Sequence, residues 1–376
     1  TTGTQAYSDA VILGADTVLS GTALTFNSTV NGTTAGQESL GITGNADFNG
    51  IVGGATSLEF LTVSGTTSLD GGNVTTIGIQ TFTGATTLGA DSVLTGTNVT
   101  FGSTLNGAQN ITINASGTTA FGDVVGGTNA LSSITTDANG DVTFNGSVTS
   151  TGTQTFNDDA TLLADATFTS TGNADITFAG TLDGAFNVTL NTSGNTTFGD
   201  LIGNVTDLAS LTTDAGGTTN LNGGNVTTTG NQTFNDAVSL GADAILTGVN
   251  VTFANTLTGT QNLTITASGT TTLGGVATLT SLTTDSGGTT DIDGGNVSTT
   301  GTQAYSDAVI LGADTFLSGT ALTFNSTVNS TTAGQESLGI TGNADFNGIV
   351  GGSASLEFLT VSGTTSLDGG NVTTAG

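Results

Sequence analysis

The chain repeats itself on two scales, and whatever fold it adopts must be assembled from those repeats. Residues Gly3 to Gly78 return almost unchanged as Gly301 to Gly376, a long period of 298 residues. Five positions differ: Val18/Phe316, Gly32/Ser330, Ala55/Ser353, Thr56/Ala354 and Ile77/Ala375. Both ends fall inside the pattern, as expected of a window on a longer tandem array. Within the long period lies a looser unit that opens on Gly-x-Gln-x-aromatic. It begins at Gly3 (Gln5, Tyr7), Gly78 (Gln80, Phe82), Gly152 (Gln154, Phe156), Gly230 (Gln232, Phe234) and Gly301 (Gln303, Tyr305). These starts divide one continuous array into units 3–77, 78–151, 152–229, 230–300 and 301–376.

A third, finer spacing sets the fold class. From the first aromatic to a second (Phe26, Phe101, Phe178, Phe253, Phe324) is 19 residues in four units and 22 in the third. A further apolar position follows at Phe48, Phe121, Phe198, Leu273 and Phe346. Strands in a sheet lie about 4.8 Å apart, and a coil of three short strands with turns takes roughly 20 residues. Within each run apolar residues alternate with Thr, as in Asn98-Val99-Thr100-Phe101, which sends one side chain inward and the next outward. Gly, Asn and Asp collect between runs, as in Asp70-Gly71-Gly72-Asn73, and supply corners. The expected fold is all-β with no helix, a parallel β-solenoid of roughly 15 to 20 coils and a rod of roughly 70 to 95 Å. Small β-sandwiches strung like beads are the competing architecture. The fine spacing is too short for a sandwich, and neither linkers nor a buried Trp is evident.

Composition narrows function. The chain has 29 acidic residues and no Lys, Arg or His, a formal charge of −29. It therefore cannot neutralise phosphates, which excludes nucleic acid and disfavours an anionic membrane surface. The absence of Cys and His excludes disulfides and the usual zinc, haem and iron–sulfur ligand sets. No stretch approaches the roughly 18 apolar residues of a membrane helix, so membrane insertion is not expected. Thr1 is not an initiator Met, as in an excerpt or a mature piece.

The candidate sites are few. Ala-Asp recurs at Asp16, Asp91, Asp165, Asp243 and Asp314, with a second set at Asp9, Asp158 or Asp159, Asp236 and Asp307. Carboxylates at Gly-rich turns can ligate Ca²⁺, so the first set is a candidate weak calcium site, although its members stand three or four coils apart. Asp as a turn former is the alternative. Catalysis is not expected, because no basic residue is available as a proton acceptor and the acids follow the repeat. Thr pairs such as Thr75-Thr76 and Thr212-Thr213 raise ice binding, but varying coil lengths spoil a lattice match. The repeated Gln reads as structural, inside the coil or at a corner.

The runs Gly223–Gly230 (Gly-Gly-Asn-Val-Thr-Thr-Thr-Gly) and Gly230–Asp243 (Gly-Asn-Gln-Thr-Phe-Asn-Asp-Ala-Val-Ser-Leu-Gly-Ala-Asp) resemble the repeat regions of filamentous-haemagglutinin-like bacterial exoproteins. These are very long secreted β-helical adhesins. The resemblance covers the whole chain in composition, coil length and turn chemistry. It implies a right-handed solenoid in an extracellular fibre at a bacterial cell surface. Two roles follow as expectations. One is a non-catalytic structural shaft whose partners are identical copies or the continuation of the same chain, with lateral bundling. The other is an adhesin that grips carbohydrate or a neighbouring cell through its outward faces.

Overall fold

In the computed structural model, residues 2–376 are described, and they fall into two compact units, Thr1–Gly194 and Asn195–Gly376. Each unit is a parallel β-solenoid without helix among the described residues, and together they hold about 18 coils. No helix is therefore long and apolar enough to cross a membrane. Every strand pairing within each unit is parallel, and every coil contributes to three sheets.

In the first unit, one sheet runs from Thr4–Tyr7 through the later halves of Thr17–Phe26 and Leu40–Phe48 to Thr67–Leu69, Thr86–Leu88 and Leu105–Asn106. A second takes the earlier halves of those long strands and continues through Leu61–Val63, Gln80–Phe82, Val99–Phe101, Thr118–Phe121, Asp141–Phe144 and Asp159–Leu162. The third includes Val74–Thr75, Ser92–Gly96, Asn110–Ala115, Ser133–Thr136, Gln154–Phe156 and Ile176–Phe178. The second unit repeats the plan. Ser210–Thr213, Gln232–Phe234, Val251–Phe253, Thr270–Leu273, Thr289–Ile292 and Ala308–Leu311 make one of its sheets.

The alternation expected from sequence is what builds these sheets. In Gln154–Phe156 and Val251–Phe253 the outer two side chains are buried and the central Thr faces out. Burying one face of each strand fixes register, because a slip of one residue would turn every apolar side chain to water. The aromatic positions stack as their spacing implied. Tyr7, Phe26 and Phe48 are register partners with ring centroids 5.1 Å apart, and Phe82, Phe101, Phe121 and Phe144 form a second column at 5.5 to 5.6 Å. Near the end of the first unit, aromatics from all three sheets meet. Phe144, Phe156, Phe168 and Phe178 pack there largely edge to face, 4.9 to 5.7 Å apart.

Coil length varies from 18 residues (Asp141 to Asp159) to 23 (Thr17 to Leu40), and local devices absorb the difference. The pairing of Thr17–Phe26 with Leu40–Phe48 shifts register between Ser20 and Ala23, where Gly21 and Gly44 meet. Gly44 sits at φ 131°, and a Cβ there would collide with the carbonyl of Gly21. Only glycine fits such a bend.

The register also reveals how the 75-residue unit maps onto the coils. From Gln5 the partners run Leu24, Ala46, Thr67, Thr86, four coils on. Gln80 stands six residues, and one face, short of Thr86. From Gln80 they run Val99, Thr119, Val142, Ala160, and Gln154 again stands six short. The second unit does the same from Gln232 through Val251, Thr271 and Thr290 to Val309, six past Gln303. The repeat therefore advances three and two-thirds coils, and each copy of its motif appears on the next face of the solenoid.

Inward positions are not all apolar, which the sequence reading did not anticipate. Thr67, Thr86, Thr119 and Thr271 point inward, and their hydroxyls have no hydrogen-bond partner. A buried donor without a partner carries its desolvation cost uncompensated. Thr271→Val, which keeps the shape and removes the hydroxyl, is expected to raise stability by about 1 kcal/mol, seen as a higher urea midpoint.

Candidate functional site

The five carboxylates singled out for calcium all lie at corners, and each reaches the next coil. Asn110 donates its N–H to Asp91 Oδ1 at 2.9 Å and its side-chain amide to Oδ2 at 3.0 Å. Asn187 does the same for Asp165 (2.9 and 3.0 Å), and Asn262 for Asp243 (2.8 and 2.9 Å). Asp16 and Asp314 each accept one backbone N–H, from Ser39 and Ser337, both at 2.9 Å. The backbone N–H and then the side-chain amide of the Asn hold the carboxyls of Asp91, Asp165 and Asp243 below their usual range. These acids thus staple one coil to the next. Asp16, Asp91 and Asp165 precede strands of three different sheets, so the structure does not bring them together. Among the described residues no group of three or more acids is gathered as a metal cage would be.

The repeated Gln lies inside the coil. Gln80 Nε2 donates to the carbonyls of Val74 (3.2 Å) and Thr95 (2.8 Å) and to the Thr76 hydroxyl (3.3 Å). Gln154, Gln232 and Gln303 make the corresponding three contacts. One amide thereby ties two backbone carbonyls, 21 residues apart in sequence, across a corner. Its oxygen depends on the aromatic two residues on. Where that residue is Tyr305, the phenol donates to Gln303 Oε1 at 2.8 Å, and Tyr7 does the same for Gln5. Where it is Phe82, Phe156 or Phe234, the oxygens of Gln80, Gln154 and Gln232 are buried without a partner. Burial and then the nearby Asp307 push the Tyr305 phenol far above its ordinary range, so it stays a donor at any pH the protein meets.

The second set of acids is where the structure departs most from expectation. Asp158, Asp236 and Asp307 were expected at turns; they are turned inward, 1 to 3% exposed. Thr213 and Thr219 both donate to Asp236, at 2.8 to 2.9 Å, and Thr284 and Thr290 both donate to Asp307 at the same distances. Each acid therefore sits in a box with one Thr 23 residues back and another 17 back. That double spacing was readable in the sequence, but only with the coil lengths in hand. Burial pushes both carboxyls up, and the two hydroxyls work against it. Asp9, the fourth member, is exposed, and Asp159 faces outward, accepting the Thr181 N–H at 2.9 Å.

Outside, one apolar groove of about 410 Å³ stands out in the second unit. Phe316 and Phe358, half exposed, flank it, and Phe316 lies over Gly339, with Asn296, Asp314 and Ser337 around them. The first unit has its counterpart, of about 360 Å³, with Val18 and Phe60 in the aromatic positions and Gly41 between them.

No protein-family model, curated protein or solved structure matches this chain. Its class, a tandem-repeat parallel β-solenoid, rests on the strand register and the repeats themselves.

Phe234→Tyr is expected to stabilise the second unit by about 1 kcal/mol, since it supplies the missing donor to Gln232. Tyr305→Phe should destabilise it by a similar amount. Thermal melts of the two variants against the parent check both signs.

Proposed function

We propose that this chain is the non-catalytic shaft of an extracellular bacterial surface fibre, built from tandem solenoid repeats of the filamentous-haemagglutinin-like kind. The observation that carries this reading is where the two near-identical quarters differ. Val18/Phe316, Ala55/Ser353 and Ile77/Ala375 are exposed, and Thr56/Ala354 is half-buried. Only Gly32/Ser330 is buried, at a corner. There the Ser330 hydroxyl donates to the Glu336 carbonyl at 3.2 Å, and the Glu336 side chain is less buried than that of Glu38. The set of inward side chains that dictates stacking is otherwise identical across 298 residues. A chain that reproduces its interior and lets its exterior drift is one whose output is length.

The stepping of the motif from face to face agrees with this role. A repeat that advances three and two-thirds coils spreads its outward residues over all three sides, as suits a shaft bundled laterally with copies of itself. The same stepping speaks against one flat Thr face of the sort ice binding requires. Repulsion does not forbid bundling, since charges more than about 8 Å apart are screened at physiological salt. The proposed partners are identical copies or the continuing chain.

One observation favours a second reading, an adhesin that grips carbohydrate or a neighbouring cell. It is the Phe316–Phe358 groove, whose aromatic faces are open to solvent. Phe316→Val, which restores the residue of the first copy, should leave binding to cell or glycan surfaces unchanged if the chain is a shaft and weaken it if the groove is adhesive.

Electron cryo-microscopy of the native fibre tests the main reading. Continuous rods with a layer line near 4.8 Å, bundled with identical copies, are expected. A lone thin rod ending in a distinct head would move the function to the head, and separate beads would overturn the shaft.

A further inference from the structure

The three buried acid boxes are not equivalent, and the difference points to a ligand. Asp236 and Asp307 each receive two Thr hydroxyls. The second donor, Thr219 or Thr290, is the register partner of Val238 or Val309, two residues beyond the acid. At Asp158 the same position, partner of Ala160, is Val142. The first donor is diverted as well, because the Thr136 hydroxyl accepts the Asn157 N–H at 3.2 Å. Asp158 is 2% exposed, and neither of its carboxylate oxygens has a hydrogen-bond partner. The acids on the elements packed around it are Asp137 and Asp141 on the preceding coil, Asp159 beside it, and Asp175 and Asp183 on the following coil. No cation exists anywhere in the chain to answer them.

We propose that Asp158 is a proton-binding site, at which a bound proton neutralises the carboxyl that Val142 leaves without a donor, so that the first unit tightens as its surroundings turn mildly acidic. An ionised carboxylate buried with no donor is strongly disfavoured, whereas the neutral acid tolerates burial. Burial, followed by the Asp137 and Asp141 charges, pushes Asp158 up to about 6; the Thr136 hydroxyl and Gly140 N–H nearby oppose this only in part.

The direction of the effect follows from linkage. The folded carboxyl holds its proton to a higher pH than the unfolded one, whose value is 3.8. The stabilisation is therefore full below that value and is lost as pH rises through about 6. Asp91 and Asp165, in the same unit, act with the opposite sign. Their carboxyls are lowered, so their staples fail only as pH falls below the ordinary carboxylate range. Asp47 is also raised, by burial and then by Asp70, but it lies several coils away. Asp158→Asn separates the two contributions.

The test is a carbon-13 titration of the full chain labelled at Asp carboxyls, with the Asp158 resonance assigned by its loss in Asp158→Asn. A midpoint near 6 is expected, and Val142→Thr should lower it by restoring the second donor. Amide exchange within Gln154–Phe156 and Asp159–Leu162, corrected for the intrinsic rate, should be about a hundredfold slower relative to that rate at about pH 4.5 than at about pH 7.5. In Asp158→Asn that dependence should disappear. A midpoint in the ordinary range near 4, or one that Val142→Thr leaves in place, overturns the proposal. Should Val142→Thr not fold, the titration of the unaltered chain still decides.

Discussion

Everything in this fold depends on coil-to-coil register. A strand of three residues cannot hold itself flat; it is held because the coil before and the coil after present the same backbone groups at the same height. Inside each unit the backbone bonds, the aromatic columns and the corner staples all run along the stacking direction. Asp91 to Asn110 and Gln80 to Thr95 join residues 19 and 15 apart in sequence that are neighbours along the stack. Stability is then a property of adjacent pairs, and a local defect weakens the coils on either side of it rather than the whole.

That dependence explains what could be read from the residues alone. The fold class follows from alternation and spacing, both local: Val99-Thr100-Phe101 shows its inward and outward faces without any partner in view. The aromatic columns were legible for the same reason, since Phe82, Phe101 and Phe121 keep a nearly constant spacing. The stepping of the repeat around the three faces was not. Coils of 18 to 23 residues do not divide a 75-residue unit by arithmetic, and only the actual partners show that Gln80 falls one face short. The corner acids were visible as a set, but their partners Asn110, Asn187 and Asn262 lie one coil on, at spacings of 19 and 22.

Polar side chains inside the coil were the least legible. A hydrophobic pattern marks an inward site by its apolar residue, so an inward Asp or Gln looks like a break in the run. Asp236 betrays itself only through Thr213 and Thr219, and no single run contains all three. Such residues weaken a purely apolar column, yet they restrict it too. A slipped register would leave the Asp236 carboxylate or the Gln232 amide buried without donors or acceptors, at a cost well above that of misplacing a Leu. In a chain of many similar coils, where an apolar residue on one coil stacks tolerably on almost any other, the sparse polar positions discriminate against the near-miss alignments.

The same argument bears on a chain with no cationic side chain. In most proteins a buried acid is answered by Arg or Lys; here hydroxyls, amides and backbone N–H groups must answer all of them. Where a complete set is present, as around Asp307, Thr284 and Thr290 offset the burial. Where one hydroxyl has become a methyl, as at Val142, the remaining way to satisfy the carboxyl is to take up a proton. A single Thr-to-Val difference between otherwise matching coils therefore separates a box that its own hydroxyls satisfy from one that solvent protons complete. Tandem repetition supplies the internal control, since Asp236 and Asp307 occupy the same place in the fold with their donors intact.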